Sequence, residues 1–239
     1  MLAAALVAGG CGTSPASHGS ASGAKTCRAG SVRSLESPVR AYAAVVRKQA
    51  RAYRRPGAEL IARFRRYNVN GVPTVLGVRA ALLGRDCRAV WYRVQLPIKP
   101  NGIVGYVRAR EVDLGTVRSR ITVDLSQRRL IYYRDGRPIL RIRVGIGAGE
   151  TPTPIGRFYV NQRFVEDPSG PYGPAAIGIS AYSNVLTWWA QGGPVAIHGT
   201  NRPWTIGRAA SNGCIHVQNT TLRRLFRITP AGTPVVIHA

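Results

Sequence analysis

The chain contains two short stretches, Val195-Ala-Ile-His198-Gly-Thr200 and Ser211-Asn-Gly-Cys214-Ile-His216-Val217, that hold its most reactive side chains. His198 follows an apolar, strand-like run and precedes a glycine, which predicts that it lies at the end of a strand. Cys214 follows Ser-Asn-Gly, a sequence typical of a tight turn. The residues between them must loop back if the thiol is to meet the imidazole.

A cysteine and a histidine in this setting favour nucleophilic catalysis. The thiolate is the reactive form of cysteine, and a neighbouring base or positive charge is needed to generate it. Histidine suits this role because its pKa lies near neutrality. Gly213 lets the chain bend and lets a substrate approach the backbone. The N–H groups of Gly213 and Cys214 are therefore candidates for binding an oxyanion.

Two other interpretations of these residues remain open. Cys214, His198 and His216 offer three possible zinc ligands, although the Cys-x-x-Cys pairing of structural zinc sites is missing. Cys214 is also compatible with an unreactive, buried structural cysteine.

Residues 118–239 are predicted to form a mainly β domain around the two stretches. Strands are expected at 121–125, 127–133, 138–146 and 233–238, with Asp135-Gly136 as a hairpin turn. The prolines of Thr151-Pro-Thr-Pro interrupt regular pairing before a further strand. Asn219 is expected to cap a short helix over residues 220–227.

The stretch from Asn161 to Gly193 predicts a long connection, because it has few periodic runs and many turn residues. A connection of this length in a compact domain is usually a functional loop or lid. Alternatively, its aromatic residues cover an ordinary hydrophobic patch. These residues are Tyr172, Tyr182, Trp188 and Trp189.

Residues 37–115 predict a separate, smaller unit of short strands broken by turns. A short helix is expected within 37–53, and strands at 60–67, 74–79, 89–96 and 105–108. This spacing suggests a small barrel. The stretch Trp91-Tyr-Arg-Val-Gln-Leu-Pro97, followed by Pro100-Asn-Gly-Ile-Val-Gly-Tyr-Val107, resembles bacterial SH3-like domains. That resemblance implies a packing or wall-binding module rather than chemistry.

The combination of Ile197-His-Gly-Thr200 with Ser211-Asn-Gly-Cys-Ile215 resembles the signature of the L,D-transpeptidase (YkuD-type) family. Upstream stretches fit as well: Ile121-Thr-Val-Asp-Leu125, Val144-Gly-Ile-Gly147 and Thr151-Pro-Thr-Pro-Ile-Gly-Arg-Phe158. The resemblance covers about residues 118–238. It implies a β-sandwich-like domain with the cysteine at the mouth of a lidded cleft and no cofactor.

The resemblance also implies a reaction. Cys214 would attack the carbonyl that joins meso-diaminopimelate to D-Ala in a peptidoglycan tetrapeptide stem, and D-Ala would leave. The amine of a second diaminopimelate would then resolve the thioester and give a 3→3 cross-link. His198 would be the base, with the Gly199 carbonyl orienting its imidazole, and carbapenems would acylate Cys214. Substrate or oxyanion contacts are expected from Ser211, Asn212, Gly213, Thr200, His216 and Tyr182.

One departure from the family concerns the second residue after the cysteine. Many members have Arg there, where it is thought to bind a substrate carboxylate, and this chain has His216. Because neutral imidazole binds anions poorly, carboxylate binding is expected to weaken or to pass to another arginine such as Arg202 or Arg208. Two alternatives therefore stay open: an L,D-carboxypeptidase that uses water, and a wall-binding scaffold without activity.

The N-terminus and the cysteines indicate export to the cell envelope. Residues 1–10 are apolar and small, as in a secretory signal, and Ala8-Gly-Gly-Cys11 resembles a lipobox that would place a lipid on Cys11. A flexible tether is expected to follow and extend to residue 36. Cys27 and Cys87 flank the first folded region, which favours a disulfide, although pairings with Cys214 are not excluded.

The charge of the chain is strongly positive, with 34 basic and 10 acidic residues and a net charge of +24. Such a field attracts polyanions, including an acidic cell-wall polymer, although compositional bias explains the arginines equally well. A nucleic-acid binder would account for the charge alone, and the exported-looking N-terminus argues against it.

Overall fold

The computed structural model describes residues 27–239, so the predictions of an export signal, of lipid on Cys11 and of a tether up to residue 26 fall outside it. Within the described range the protein has 18 β-strands and one α-helix, which confirms the mainly β class. No helix of this range has the length and apolarity needed to cross a membrane.

Residues 27–117, the N-terminal unit, form one antiparallel sheet of eight strands. These strands are β1 (Val32–Ser34), β2 (Ala41–Val46), β3 (Gln49–Arg55), β4 (Ala58–Arg65), β5 (Val75–Leu83), β6 (Ala89–Gln95), β7 (Val104–Arg108) and β8 (Val112–Val117). The strand order is β4-β3-β7-β6-β5-β2-β8, and β1 pairs with β5. Small and branched side chains such as Ala44, Leu76 and Val94 fill its core.

Three predictions for this unit can be compared directly with the structure. The predicted disulfide joins Cys27 to Cys87. Residues 27–36 do not belong to a tether, because β1 lies among them and pairs with β5. The short helix expected in 37–53 is wrong: the alanine-rich run Ala41–Val46 is a strand paired on both sides, and sheet pairing outweighs the helical preference of alanine. The SH3-like resemblance stays a prediction.

Residues 118–239, the C-terminal unit, form a second eight-stranded sheet and a small two-stranded one. The strands are β9 (Ser119–Asp124), β10 (Arg129–Arg134), β11 (Arg137–Arg143), β12 (Ile146–Gly147), β13 (Gly156–Val165), β14 (Ala175–Tyr182), β15 (Pro194–His198), β16 (Ala209–Ser211), β17 (Ile215–His216) and β18 (Pro234–His238). The large sheet has the order β11-β10-β9-β18-β13-β14-β15-β17, and β12 pairs with β16.

The core of the C-terminal unit lies against one face of its large sheet. Helix α1 (Asn219–Ile228) covers it, with Leu222 and Leu225 fully buried one helical turn apart. The Tyr132 hydroxyl donates a hydrogen bond of 2.5 Å to the carbonyl oxygen of Ile228 at the end of this helix. The opposite face of β14, β15 and β17 is thereby left free to line a cavity.

The long connection predicted over 161–193 contains regular structure instead. Strand β13 continues to Val165, and β14 occupies 175–182. The prediction failed because β14 is buried almost throughout, so its sequence, Ala-Ala-Ile-Gly-Ile-Ser-Ala-Tyr, lacks the alternation of a half-exposed strand. Any lid is limited to 166–174 and 183–193, and its closure stays a prediction.

The two units contact each other through β5 and β13. Tyr159 of β13 is buried there, and its hydroxyl donates a hydrogen bond of 3.1 Å to the Val75 carbonyl oxygen. Gly77 makes room for the ring, because a Cβ at position 77 would lie 2.6 Å from Tyr159 Cδ1. Any side chain at position 77 must therefore displace the ring.

Replacement of Gly77 by alanine should destabilise the protein by about 1–3 kcal/mol, the range of overpacking in a filled interior. Gly115→Ala is the matched control: both glycines pair with Ala43, and a Cβ at 115 meets only the Ala43 carbonyl oxygen at 4.0 Å. Denaturant unfolding of both variants measures the difference. Equal stabilities would contradict the described packing.

Candidate active site

The parallel pair β15–β17 brings the two predicted reactive residues to one place. Ile197 pairs with Ile215, and His198 pairs with His216. Because side chains alternate along a strand, Ile197 and Ile215 enter the core while His198, Cys214 and His216 face the other side. The loop back from the histidine to the cysteine, which the sequence requires, is therefore present.

A tight turn presents Cys214 immediately before β17. Gly213 has φ of 104°, in the region that favours glycine. The Ser211 hydroxyl donates to the Cys214 carbonyl oxygen at 2.6 Å and accepts from the Gly213 N–H at 3.2 Å. Since the Gly213 N–H is engaged, the Cys214 N–H is the better of the two predicted oxyanion donors.

The neighbours of His198 determine its tautomer. Its Nδ1 lies 2.5 Å from the Gly199 carbonyl oxygen, which can only accept, so Nδ1 carries a proton and donates it. The Tyr172 ring packs edge-on against the imidazole, with centroids 4.9 Å apart. The remaining nitrogen, Nε2, keeps its lone pair when the ring is neutral and is available as a base.

Burial keeps both reactive groups uncharged at neutral pH. It lowers the pKa of His198 to about 4, with the nearby His216 adding to the effect and the hydrogen bond to Gly199 opposing it. Burial also raises the pKa of the Cys214 thiol, against a hydrogen bond with the Ala196 backbone. The resting state is therefore a thiol and a neutral imidazole that line the same cleft.

His216 stands against His198, with ring centroids 4.8 Å apart. The Thr205 hydroxyl donates to the Arg202 carbonyl oxygen at 2.7 Å, so its lone pair accepts from His216 Nδ1–H at 2.9 Å. Burial lowers the pKa of His216. His216 is therefore uncharged at neutral pH and does not replace a cationic arginine there.

Asn219 holds the segment that follows His198, a role that the sequence did not suggest. Its Oδ1 accepts a hydrogen bond of 2.8 Å from the Thr200 N–H. The predicted helix cap is wrong in this respect: the helix begins at Asn219, and the side chain turns to Thr200 rather than to the first helical turn.

An open cleft of about 770 Å³ lies over the reactive residues, within the usual range for small-ligand sites. Of the predicted site residues, His198, Thr200, Ser211, Asn212, Cys214 and His216 line it. Tyr172 and Trp189 line it too. The cleft also reaches Gln162, Gln191 and Asn70, the last from the N-terminal unit, which no local sequence pattern marks.

Tyr182, predicted to contact substrate, lies elsewhere. Its hydroxyl donates to the Pro97 carbonyl oxygen at 2.7 Å, and its backbone exchanges two hydrogen bonds of 2.8 Å with the Asn101 side chain. It therefore joins the two units, and Tyr172 is the tyrosine beside the imidazole. Within residues 27–239 no group of three His, Cys, Asp or Glu side chains is arranged to hold a metal ion.

A family model described as the L,D-transpeptidase catalytic domain, YkuD, matches residues 118–237. The chain belongs to the L,D-transpeptidase family. The match begins at the junction of the two units, since β8 ends at Val117 and β9 starts at Ser119. The N-terminal unit lies outside it.

This L,D-transpeptidase family member is similar to several named proteins. The protein YkuD of Bacillus licheniformis, which bears an L,D-transpeptidase name, is 34% identical over 122 residues, 51% of this chain and 67% of that protein. YkuD of Bacillus subtilis is 32% identical over 123 residues, 52% and 68% of the two chains. A crystal structure of a mutant Enterococcus faecium L,D-transpeptidase is 28% identical, covers 50% of this chain and 49% of that chain, and has a TM-score of 0.38.

Titration of His198 by NMR should give a midpoint near pH 4, far below the ordinary value of 6.5. His216→Gln removes the smaller cause of the lowered pKa, the neighbouring imidazole, and should raise the pKa of His198 part of the way toward 6.5. Burial, the larger cause, should keep it below 6.5. A wild-type midpoint near 6.5 would show that the imidazole is not buried as described.

Proposed function

We propose that the protein is a peptidoglycan L,D-transpeptidase that forms 3→3 cross-links through a thioester on Cys214, with His198 as the general base. The observation that carries this proposal is the Cys214 thiol in one cleft with an imidazole whose Nδ1–H is held by Gly199. Family membership supports the reaction class, and the geometry supports the residue roles.

In the acylation step the Cys214 sulfur attacks the carbonyl carbon between diaminopimelate and D-Ala. His198 Nε2 takes the thiol proton as the C–S bond forms, because both groups start uncharged. The resulting imidazolium then gives this proton to the leaving amine of D-Ala. The Cys214 N–H faces the oxyanion.

In the second step an amine of another diaminopimelate attacks the thioester. His198 removes the amine proton, the amide forms, and the proton returns to the Cys214 sulfur. If water attacks instead, the same acyl-enzyme gives an L,D-carboxypeptidase. The unpaired Cys214, which is partly accessible and lines an open cleft, supports a working site over a wall-binding scaffold without activity.

The cell envelope is the proposed location. The Cys27–Cys87 disulfide suits an oxidising compartment, and the peptidoglycan substrate lies there. The proposed lipid on Cys11 would hold the enzyme at the membrane surface.

Intact mass spectrometry after incubation with a carbapenem tests the nucleophile. The wild type should gain the mass of one drug molecule, and Cys214→Ala should gain none. Peptide mapping assigns the adduct to Cys214 and separates it from Cys11. A tetrapeptide donor with and without an amine acceptor then separates cross-linking from hydrolysis.

The scaffold alternative gains support from one outcome. A folded wild type with a titratable Cys214 thiol that forms no adduct with drug or tetrapeptide would overturn the catalytic proposal.

Arg202 is proposed to bind a substrate carboxylate in place of the missing family arginine, because it lines the cleft and His216 is uncharged. Arg202→Gln should raise KM for the tetrapeptide about threefold to tenfold, as expected for one charged hydrogen bond at an exposed site. Arg208→Gln is the matched control, since Arg208 lies on the same segment and does not line the cleft. Equal KM values in both variants would exclude this role.

A further inference from the structure

A row of neighbouring residues on adjacent strands crosses the cleft floor from the nucleophile to β13. Gln162 pairs with Gly178, and Gly178 pairs with Ala196. The β15–β17 register, continued one residue back from the Ile197–Ile215 pair, places Ala196 beside Cys214. Neighbouring strands are about 4.8 Å apart, so three steps put Gln162 about 14 Å from Cys214.

A β-bulge turns Gln162 toward the cleft. Val160 pairs with Ile179 and both are buried in the core, whereas the next pair is Gln162 with Gly178. Asn161 is the extra residue. In a regular strand of the same sequence, with Asn161 paired and no bulge, Gln162 would lie on the same face as Val160, inside the core.

The N-terminal unit fixes which end of the Gln162 amide faces the cleft. Its Oε1 accepts hydrogen bonds from Asn68 Nδ2 at 2.8 Å and from Asn70 Nδ2 at 3.1 Å. Two amide donors can only be met by an oxygen, so Nε2 lies on the other side. A Cβ at Gly178 would lie 3.1 Å from Nε2, which places this NH₂ group at the cleft floor.

The Asn70 side chain is held by a further hydrogen bond. Gln191 Nε2 donates to Asn70 Oδ1 at 2.8 Å. Asn70, Gln162 and Gln191 all line the cleft. The NH₂ group of Gln162 is therefore presented by a cluster of amides that spans both units.

The floor between Cys214 and Gln162 is shallow, because Gly178 and Ala196 have almost no side chain. An extended peptide rises about 3.3 Å per residue, so about 14 Å corresponds to about four residues. The leaving group of the proposed reaction is a single residue and does not span this distance. The donor chain upstream of the attacked carbonyl does.

We propose that the Gln162 side chain, whose Oε1 is held by Asn68 and Asn70 of the N-terminal unit, forms a subsite in which its Nε2 donates a hydrogen bond to a carbonyl oxygen of the peptide substrate, about three to four residues upstream of the carbonyl that Cys214 attacks. An uncharged amide donor suits this uncharged acceptor. The proposal rests on the proposed function for the identity of the substrate. It makes the N-terminal unit part of the substrate site.

The test measures equilibrium binding in a Cys214→Ala background, where no turnover occurs. Two probes share their C-terminal residues: the full tetrapeptide with an acylated N-terminus, and its C-terminal dipeptide, which is too short to reach Gln162. The long peptide should bind more tightly. Gln162→Glu should lower its affinity about fivefold to tenfold and leave that of the dipeptide unchanged.

Gln162→Glu is a close replacement, because one carboxylate oxygen still accepts from Asn68 and Asn70 while the other stands where the donor was. Asn101→Ala is the matched control: it removes hydrogen bonds to Tyr182 between the units and does not line the cleft. It should change neither affinity. In the Cys214→Ala protein with Gln162 intact, the Gln162 side-chain amide resonance should shift on addition of the long peptide only. This measurement does not depend on the folding of the Gln162→Glu variant.

Equal affinities of the two peptides, or an unchanged affinity ratio in Gln162→Glu, would overturn the subsite. The wild type, assayed separately for an acyl-enzyme with the tetrapeptide, tests the proposed function. Length-dependent binding without an acyl-enzyme would remove the catalytic proposal and leave the subsite standing. Formation of an acyl-enzyme without length-dependent binding would remove the subsite and leave the catalytic proposal standing.

Discussion

The parallel pairing of β15 with β17 is the interaction on which the site depends. Strand β17 has only two residues and lies at the sheet edge, yet it is held from both sides. The Val217 N–H donates to the His198 carbonyl oxygen at 2.8 Å, and Gly145 and His216 exchange two backbone hydrogen bonds of 2.9 Å. Because side chains alternate along paired strands, this register decides together which residues form the core and which face the cleft.

Burial controls the charge state of the site in spite of the chain's net charge of +24. Salt screens the distant arginines within about 10 Å, whereas desolvation of His198 and Cys214 acts at the groups themselves. A neutral thiol and a neutral imidazole result. In the proposed mechanism the proton moves only when the substrate is attacked, so the site stores no thiolate that could be oxidised while it waits.

The contact between the two units brings a side chain of the N-terminal unit, Asn70, to the cleft. Most of the hydrogen bonds across it involve amide side chains, from Asn68, Asn70 and Asn101 on one side and Gln162 and Gln191 on the other. Amide pairs keep their hydrogen bonds over a wide pH range because they do not titrate. One end of the cleft is therefore lined in part by Asn70, which lies outside the part of the chain that the family model matches.

The sequence alone was enough for features that depend on adjacent residues: the turn before Cys214, the strand end at His198, the Asp135-Gly136 hairpin and the last strand. It also indicated the pairing of Cys27 with Cys87. Strand β14 was not predicted because it is buried on both faces. The structure places Asn219 against Thr200 rather than the first helical turn, and Tyr182 at the contact between the units rather than in the cleft. Only the tertiary structure decided these points and the link between Asn70 and Gln162, which are 92 positions apart. Local sequence patterns predict the conformation of a segment, whereas the partner of a polar side chain depends on which strands become neighbours in the folded protein.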